Sequence, residues 1–427
     1  MNVIRKCYCR GFQRVMKLAV PRLPYRRPPI LNSLQQVPQA LRERNVQRVL
    51  IVTDPSICAL GLAEPLKVAL QEEQIFFEVF DGAVGDPTIE MVETARKVYV
   101  ENHCQGMIAF GGGSAMDCAK AVGARMAKPR KSLRQLKGIM RVLRRLPLIV
   151  AVPTTSGTGS ETTVAAVITD QDTGHKFTIM DPVVIPHVVV HDPAITVSLP
   201  PFITAITGMD ALTHAIEAYI GNSTTKASEA EALEAVRLIS ENLLPACQDG
   251  RNMEARANML HAAYLAGRAF SRSYVGYCHA IAHSLGGKYH IPHGLANAVL
   301  LPYVLDAYGS AIYPRAKKLA IAMHLAAEET SETAATHRLI SWIRWANRTM
   351  GLPEKLEGVQ AEDVPQLSAY ADQEANPLYP VPVLMDRREL ERFYYHVMED
   401  AVYAERRYCS HCSGAEGVLS VGRNPAC

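Results

Sequence analysis

From residue 46 to residue 152 the sequence alternates short apolar runs with stretches of helical period. Residues 46–53, 74–80, 106–110 and 146–152 read as strands, and 63–73, 89–102 and 115–125 as the helices between them. This βαβα order restricts the chain to a parallel sheet covered by helices. A short β-ribbon is expected over 163–170 and 176–180, around Asp172-Thr-Gly174, and a further strand over 183–191. The basic stretch 128–145 reads as a surface helix or excursion.

After Leu199-Pro200-Pro201 the strand signals fade. Helical period then runs through 204–220, 228–243, 252–271, 277–286, 294–308, 310–327, 331–350 and 387–402. A chain of 427 residues is long enough for two domains. The expected organisation is a basic N-terminal arm (1–29), a dinucleotide-binding α/β domain (30–199), an all-helical metal-binding domain (200–402) and a mobile tail (403–427).

Charge and cysteine content exclude several classes. The net charge is only +3, and the basic residues cluster in the first 30 residues, in 128–145 and at Arg406-Arg407, so no nucleic-acid partner is expected. Ten scattered cysteines do not form a secreted disulfide framework, and reduced thiols point to a cytoplasmic protein. Cys409 and Cys412 form a CxxC with Cys427 as a possible third thiol, but no partner knuckle for zinc is found. The N-terminus has no apolar core or cleavage site of a signal peptide, and no run reaches the ~20 apolar residues of a membrane span. Residues 3–20 can form a basic amphipathic helix, lying on a membrane surface or on the protein itself; a partly ordered arm is the plainer reading.

Two loops at strand ends suit a nucleotide. Gly111-Gly-Gly-Ser114 joins a strand to a helix, where glycine backbone N–H groups and the helix N-terminus can approach phosphate. It matches neither GxGxxG nor GxxxxGK[ST], and a tight turn alone would also explain it. Asp54 closes the first strand, where a carboxylate can accept from both adenosine ribose hydroxyls and repel a 2′-phosphate, favouring NAD. Thr154-Thr-Ser-Gly-Thr-Gly-Ser160 offers hydroxyls after another strand, although Thr158 and Glu161 also fit a capping box. Lys176 is a candidate phosphate or ribose partner, or simply an exposed lysine.

The helical half carries metal chemistry. In Thr207-Gly-Met-Asp-Ala-Leu-Thr-His-Ala-Ile-Glu-Ala-Tyr219, Asp210 and His214 stack one turn apart on a helix face. His279 and His283 form a second i,i+4 pair, and His290 and His293 follow in a turn-like stretch. A carboxylate with imidazoles is a borderline donor set that suits Fe(II) or Zn(II). Spacing leaves open which late histidines are ligands, and His261 adds another candidate.

Four stretches together resemble the iron-containing (group III) alcohol dehydrogenase family. They are Gly111-Gly-Gly-Ser-Ala-Met-Asp117, Pro153-Thr-Thr-Ser-Gly-Thr-Gly-Ser-Glu161, Gly208-Met-Asp-Ala-Leu-Thr-His-Ala-Ile-Glu217 and the His279, His283, His293-Gly294 set. The resemblance covers about residues 30–400 and implies a dehydroquinate-synthase-like architecture, with the active site in a cleft between the α/β and helical halves. It implies metal ligation by Asp210, His214, His279 and His293, and proton transfer by His283. It implies nucleotide contacts at Asp54, Gly112, Gly113, Ser114, Asp117, Thr154, Thr155, Thr158 and Lys176, and no ligand role for His290 or His261. Asp86-Pro87 departs from the Asn-Pro of many members, and neither the basic arm nor the tail has a family role.

The activity implied is reversible oxidation of an alcohol to an aldehyde by NAD(H). A metal acts as Lewis acid on the substrate oxygen, neutral His283 relays the proton, and the enzyme is expected to be a homo-oligomer. On the same scaffold the rivals are a zinc polyol (glycerol-type) dehydrogenase and a dehydroquinate-synthase-like lyase. From other classes come a non-haem iron oxygenase, which leaves the nucleotide loops unexplained, and a non-catalytic membrane-associated or redox-sensing relative.

Overall fold

The computed structural model describes residues 1–399. The tail at 403–427, with Cys409, Cys412 and Cys427, lies outside the described residues. In chain order the first half comprises α1 (Val3–Ala19), β1 (Ile30–Leu31), α2 (Val37–Arg42), β2 (Arg48–Val52), α3 (Pro55–Ala59), α4 (Glu64–Glu72), β3 (Phe76–Phe80), α5 (Ile89–Glu101), β4 (Gly106–Gly111) and α6 (Gly113–Ala127). It continues with α7 (Leu133–Leu136), β5 (Gly138–Ile139), β6 (Leu148–Pro153), β7 (Ala165–Asp170), β8 (His175–Met180) and β9 (Val188–Val190). The second half is helical: α8 (Pro201–Ile220), α9 (Lys226–Gln248), α10 (Met253–Ser273), α11 (Tyr277–Tyr289), α12 (His293–Tyr308), α13 (Tyr313–Ala322), α14 (Glu332–Thr349), α15 (Val364–Ala375) and α16 (Arg387–Val397).

Six strands form a parallel sheet in the order β1-β9-β6-β4-β2-β3. Its central strands are buried on both faces, which is why they read as continuous apolar runs. Leu50, Val52, Met107, Ala109, Ile149 and Ala151 pack against α5 and α6 on one face. Val49, Ile51, Ile108, Phe110 and Val150 pack against α2 and α4 on the other. The chain runs from β2 outward to β3, then returns to β4 on the opposite side of β2. The strand order therefore reverses between β2 and β4, the place where an open α/β sheet forms a crevice at its carboxyl edge.

Several elements differ from the sequence expectation. The strand expected over 183–191 shrinks to β9, because Pro182 and Pro186 interrupt it. The basic 128–145 segment is an excursion holding only the short helix α7 and strand β5, which adds to the β7–β8 ribbon. The expected capping box at Thr158 and Glu161 does not form. Only one 3-10 turn, Ser160–Thr162, follows, and the Thr158 hydroxyl accepts from the Ser160 N–H instead. Helix α15 was not expected at all. The amphipathic helix over 3–20 does form, and its inner face rests on the helical half, with Cys9 in that core.

Among the described residues no helix is long and apolar enough to cross a membrane, and the seven described cysteines are all free.

Candidate active site

Three helices converge to bring four donors together. Asp210 and His214 lie on α8, His279 near the start of α11, and His293 is the first residue of α12. One ligand atom from each lies within 4.8 Å of the others. The approach of α12 to α8 depends on Gly294, because a Cβ there would stand 2.2 Å from the Ile206 carbonyl oxygen. Asp210 Oδ1 is 3.4 Å from His293 Nε2 and 3.8 Å from His279 Nε2, and Oδ2 is 3.9 Å from His214 Nδ1.

Burial shapes the chemistry of this group. His214 and His279 stack at 4.3 Å, with Phe270 on the far face of His214 at 4.2 Å. Desolvation lowers the pKa of His214, takes His279 well below the ordinary value, and takes His293 to about 4 despite the opposing charge of Asp210. All three imidazoles are therefore held neutral. His214 Nδ1 and His279 Nε2 are buried with no hydrogen-bond partner. An unpaired buried polar atom costs about 1–3 kcal/mol, so two of them beside a carboxylate call for a missing partner. A divalent cation fits this set: neutral imidazole nitrogens and one carboxylate oxygen suit Fe(II) or Zn(II).

Residues not anticipated from the sequence hold the donors in place. Glu217 Oε2 lies 2.6 Å from His279 Nδ1, which turns Nε2 of that ring toward Asp210. Glu217 also accepts from the Gly276 and Cys278 N–H groups at 2.7 and 2.9 Å. Burial raises its pKa to about 7 against those bonds. Asn297, one turn after His293, donates to Asp210 Oδ1 at 2.8 Å and lies 3.1 Å from His293 Nε2. Spacing carried a signal for both: Glu217 is i+7 from Asp210 and Asn297 is i+4 from His293.

His283 stands beside the four donors, its ring stacked on His293 at 4.9 Å. Its Nδ1 lies 2.6 Å from Glu374 Oε1 on α15, and the Tyr379 hydroxyl donates to that same oxygen at 2.7 Å. Burial opposes charge on both His283 and Glu374, but their attraction outweighs it, so His283 is raised and Glu374 lowered. The structure thus gives the expected neutral histidine a carboxylate partner that favours its protonated form. His293 and His283 keep 35% and 38% side-chain exposure against 2% for His279, so the site opens on their side. His290 caps α11 in the left-handed region, and His261 packs with His191 and Tyr264; neither joins the four donors.

The nucleotide candidates line the carboxyl edge of the sheet. Asp54 follows β2, with Oδ1 capping α3 through the Ser56 and Ile57 N–H groups and Oδ2 close to Gly111. Gly112 and Gly113 face the Thr155 and Thr158 side chains, and α6 begins at Gly113 with no side-chain cap on its first N–H groups. Ser114 occupies that first turn, while Thr154 is buried, its N–H donating to Gly111 O at 3.1 Å. Gly157 and Gly159 serve packing: a Cβ on them would come within 2.8 Å of Thr207 and 2.6 Å of Gly267 on the helical half. Asp117 points inward, accepting from Ser160 Oγ at 2.7 Å and Val167 N at 2.9 Å. Beside it Lys120 is fully buried, its three donors filled by Ser160, Thr163 and the Ala165 carbonyl, each at 2.8 Å. Lys176 pairs with Asp86 at 2.6 Å, so the departure at Asp86-Pro87 meets the lysine expected at the cofactor.

Comparison with known proteins agrees with this geometry. Residues 31–193 match the family described as iron-containing alcohol dehydrogenase, and residues 204–398 match the C-terminal part of the Fe-containing alcohol dehydrogenase family. Alcohol dehydrogenase 4 of Saccharomyces cerevisiae is 38% identical over 349 residues, 80% of this chain and 89% of the relative. The 1,3-propanediol dehydrogenase of Klebsiella pneumoniae is 36% identical over 370 residues, 85% and 94% of the two chains. A crystal structure of a 1,3-propanediol oxidoreductase superposes with a TM-score of 0.85 at 33% identity, covering 88% of this chain and all of its own. With both halves matched in order, the chain belongs to the iron-containing alcohol dehydrogenase family.

Proposed function

We propose that this metal-dependent alcohol dehydrogenase uses NAD and holds a divalent ion, Fe(II) or Zn(II), at Asp210, His214, His279 and His293. The observation that carries the reading is the pair of buried, unpartnered nitrogens, His214 Nδ1 and His279 Nε2, facing Asp210 within the four-donor group. When bound, the ion supplies Lewis acidity toward the substrate oxygen and NAD supplies the hydride acceptor.

The chain's own residues do the rest. Glu217 and Asn297 fix the orientation of His279, Asp210 and His293 before substrate arrives. His283, on the open side, is placed to take the alcohol proton and pass it outward, with Glu374 and Tyr379 steadying the ring. The free Asp54 Oδ2 and the 112–114 loop flank the crevice where the strand order reverses, which suits ribose and pyrophosphate. Thr154, Thr155, Thr158, Asp117 and Lys176 complete that wall. Buried apolar packing around His214 limits water at the reacting carbon.

The test is metal analysis of the purified chain beside a panel of small alcohols with NAD and NADP. NAD-dependent aldehyde formation, lost on chelation and restored by Fe(II) or Zn(II), is the expected result. Oxidation that survives complete metal removal would refute the reading.

A further inference from the structure

Helix α1 precedes the region matched by the family, and its inward polar side chains converge on the loop 376–386, beside the proton-relay histidine. Gln13 is 4% exposed and its amide nitrogen donates to the carbonyls of Tyr379 at 2.7 Å and Pro377 at 3.3 Å. Arg10 donates to the Val381 and Pro382 carbonyls at 2.7 and 2.8 Å and to Gln13 Oε1 at 2.8 Å. The loop carries Tyr379, whose hydroxyl donates to Glu374, which holds His283. A second route runs from Arg5, bidentate on Asp372, through Asn376 to Tyr277, the first residue of the helix bearing His279 and His283.

We propose that α1 is a positioning element of the active site: Arg10 and Gln13 fix the backbone of 377–382 and thereby the Tyr379–Glu374–His283 chain. A helix that only covered apolar surface would need no such bonds. Here buried carbonyls of one loop are satisfied by α1, and removing those donors leaves the carbonyls unpaired and the loop free to shift. A small displacement of a group that must meet substrate is expected to lower turnover while leaving cofactor binding on the opposite wall intact. The proposal rests on the reading of His283 as the relay.

The experiment uses the full-length, metal-loaded chain, with 1,3-propanediol as probe alcohol and NAD. In the double variant Arg10→Ala/Gln13→Ala, kcat is expected to fall about ten- to a hundredfold, the scale of a misplaced group. The KM for NAD and the bound metal should stay within about twofold, and Arg10→Lys alone should retain most of the turnover. The exposed Arg14→Ala is the control expected to match wild type. If the double variant loses metal or its fold, the milder Gln13→Met, which keeps volume but removes the amide donor, decides by the same criteria. Wild-type kcat in a folded, metal-loaded variant overturns the proposal. His283→Ala is run alongside: wild-type activity there defeats the relay reading, whereas loss there with none in the α1 variant defeats only the role of α1.

Discussion

The two walls of the cleft are built in opposite ways. On the helical wall, buried polar atoms are left over: His214 Nδ1 and His279 Nε2 have no partner, and neutral rings crowd one carboxylate. On the sheet wall, the conspicuous side chains are already engaged. Asp117 and Lys120 sit in a closed hydrogen-bond network, Asp54 Oδ1 caps a helix and Lys176 pairs with Asp86. What remains there is mostly backbone, at the uncapped start of α6, with Asp54 Oδ2. A metal wall announces itself by what it leaves unsatisfied; a nucleotide wall is a self-sufficient scaffold that presents N–H groups.

The contrast predicts where substitution damages the fold and where it damages chemistry. The largest effect is expected in the sheet wall: Lys120→Met removes a buried ammonium from its three acceptors and from Asp117, and should cost about 3–5 kcal/mol in denaturant unfolding. A stability change under 1 kcal/mol would mean the network is not closed as described. On the helical wall, Glu217→Gln keeps the shape but weakens the hold on His279. Metal affinity, by competitive chelation, should fall about 10–100-fold. Unchanged affinity would separate Glu217 from the site. The smallest effect concerns cofactor choice. Asp54→Ser keeps a cap for α3 while removing the charge, and the ratio of kcat/KM for NAD over NADP should drop about tenfold. An unchanged ratio would remove Asp54 from the ribose.

The same contrast explains what the sequence made legible. The β2 and β4 runs and the 3.6-residue period of α8 follow from burial, and burial is written directly into apolar residues. The donors were legible as spacing, Asp210 with His214 and His279 with His283, although only the resemblance chose among the later histidines. Their supports were harder. Glu217 lies on the Asp210 stripe and could have been read from it, but Glu374 belongs to α15. That helix buries Val364, Leu367, Ser368, Ala371 and Ala375, a face of mostly small residues whose period is faint beside Gln366, Asp372 and Gln373. The glycines of 153–161 looked like phosphate loops, yet Gly157 and Gly159 answer to Thr207 and Gly267 across the cleft, a tertiary constraint that local pattern does not encode. For α1 the sequence showed amphipathicity without saying what its inner face would meet.

The most direct test of a metal-dependent dehydrogenase centred on these donors is His279→Ala, assayed at once for bound metal and for NAD-dependent alcohol oxidation. His279 is the donor with the least exposure, and its partner Glu217 has no other imidazole to orient. Bound metal and alcohol oxidation are both expected to be lost, the latter by more than about 100-fold, beyond the range of an outer-shell change. Retention of both at wild-type level would contradict the account.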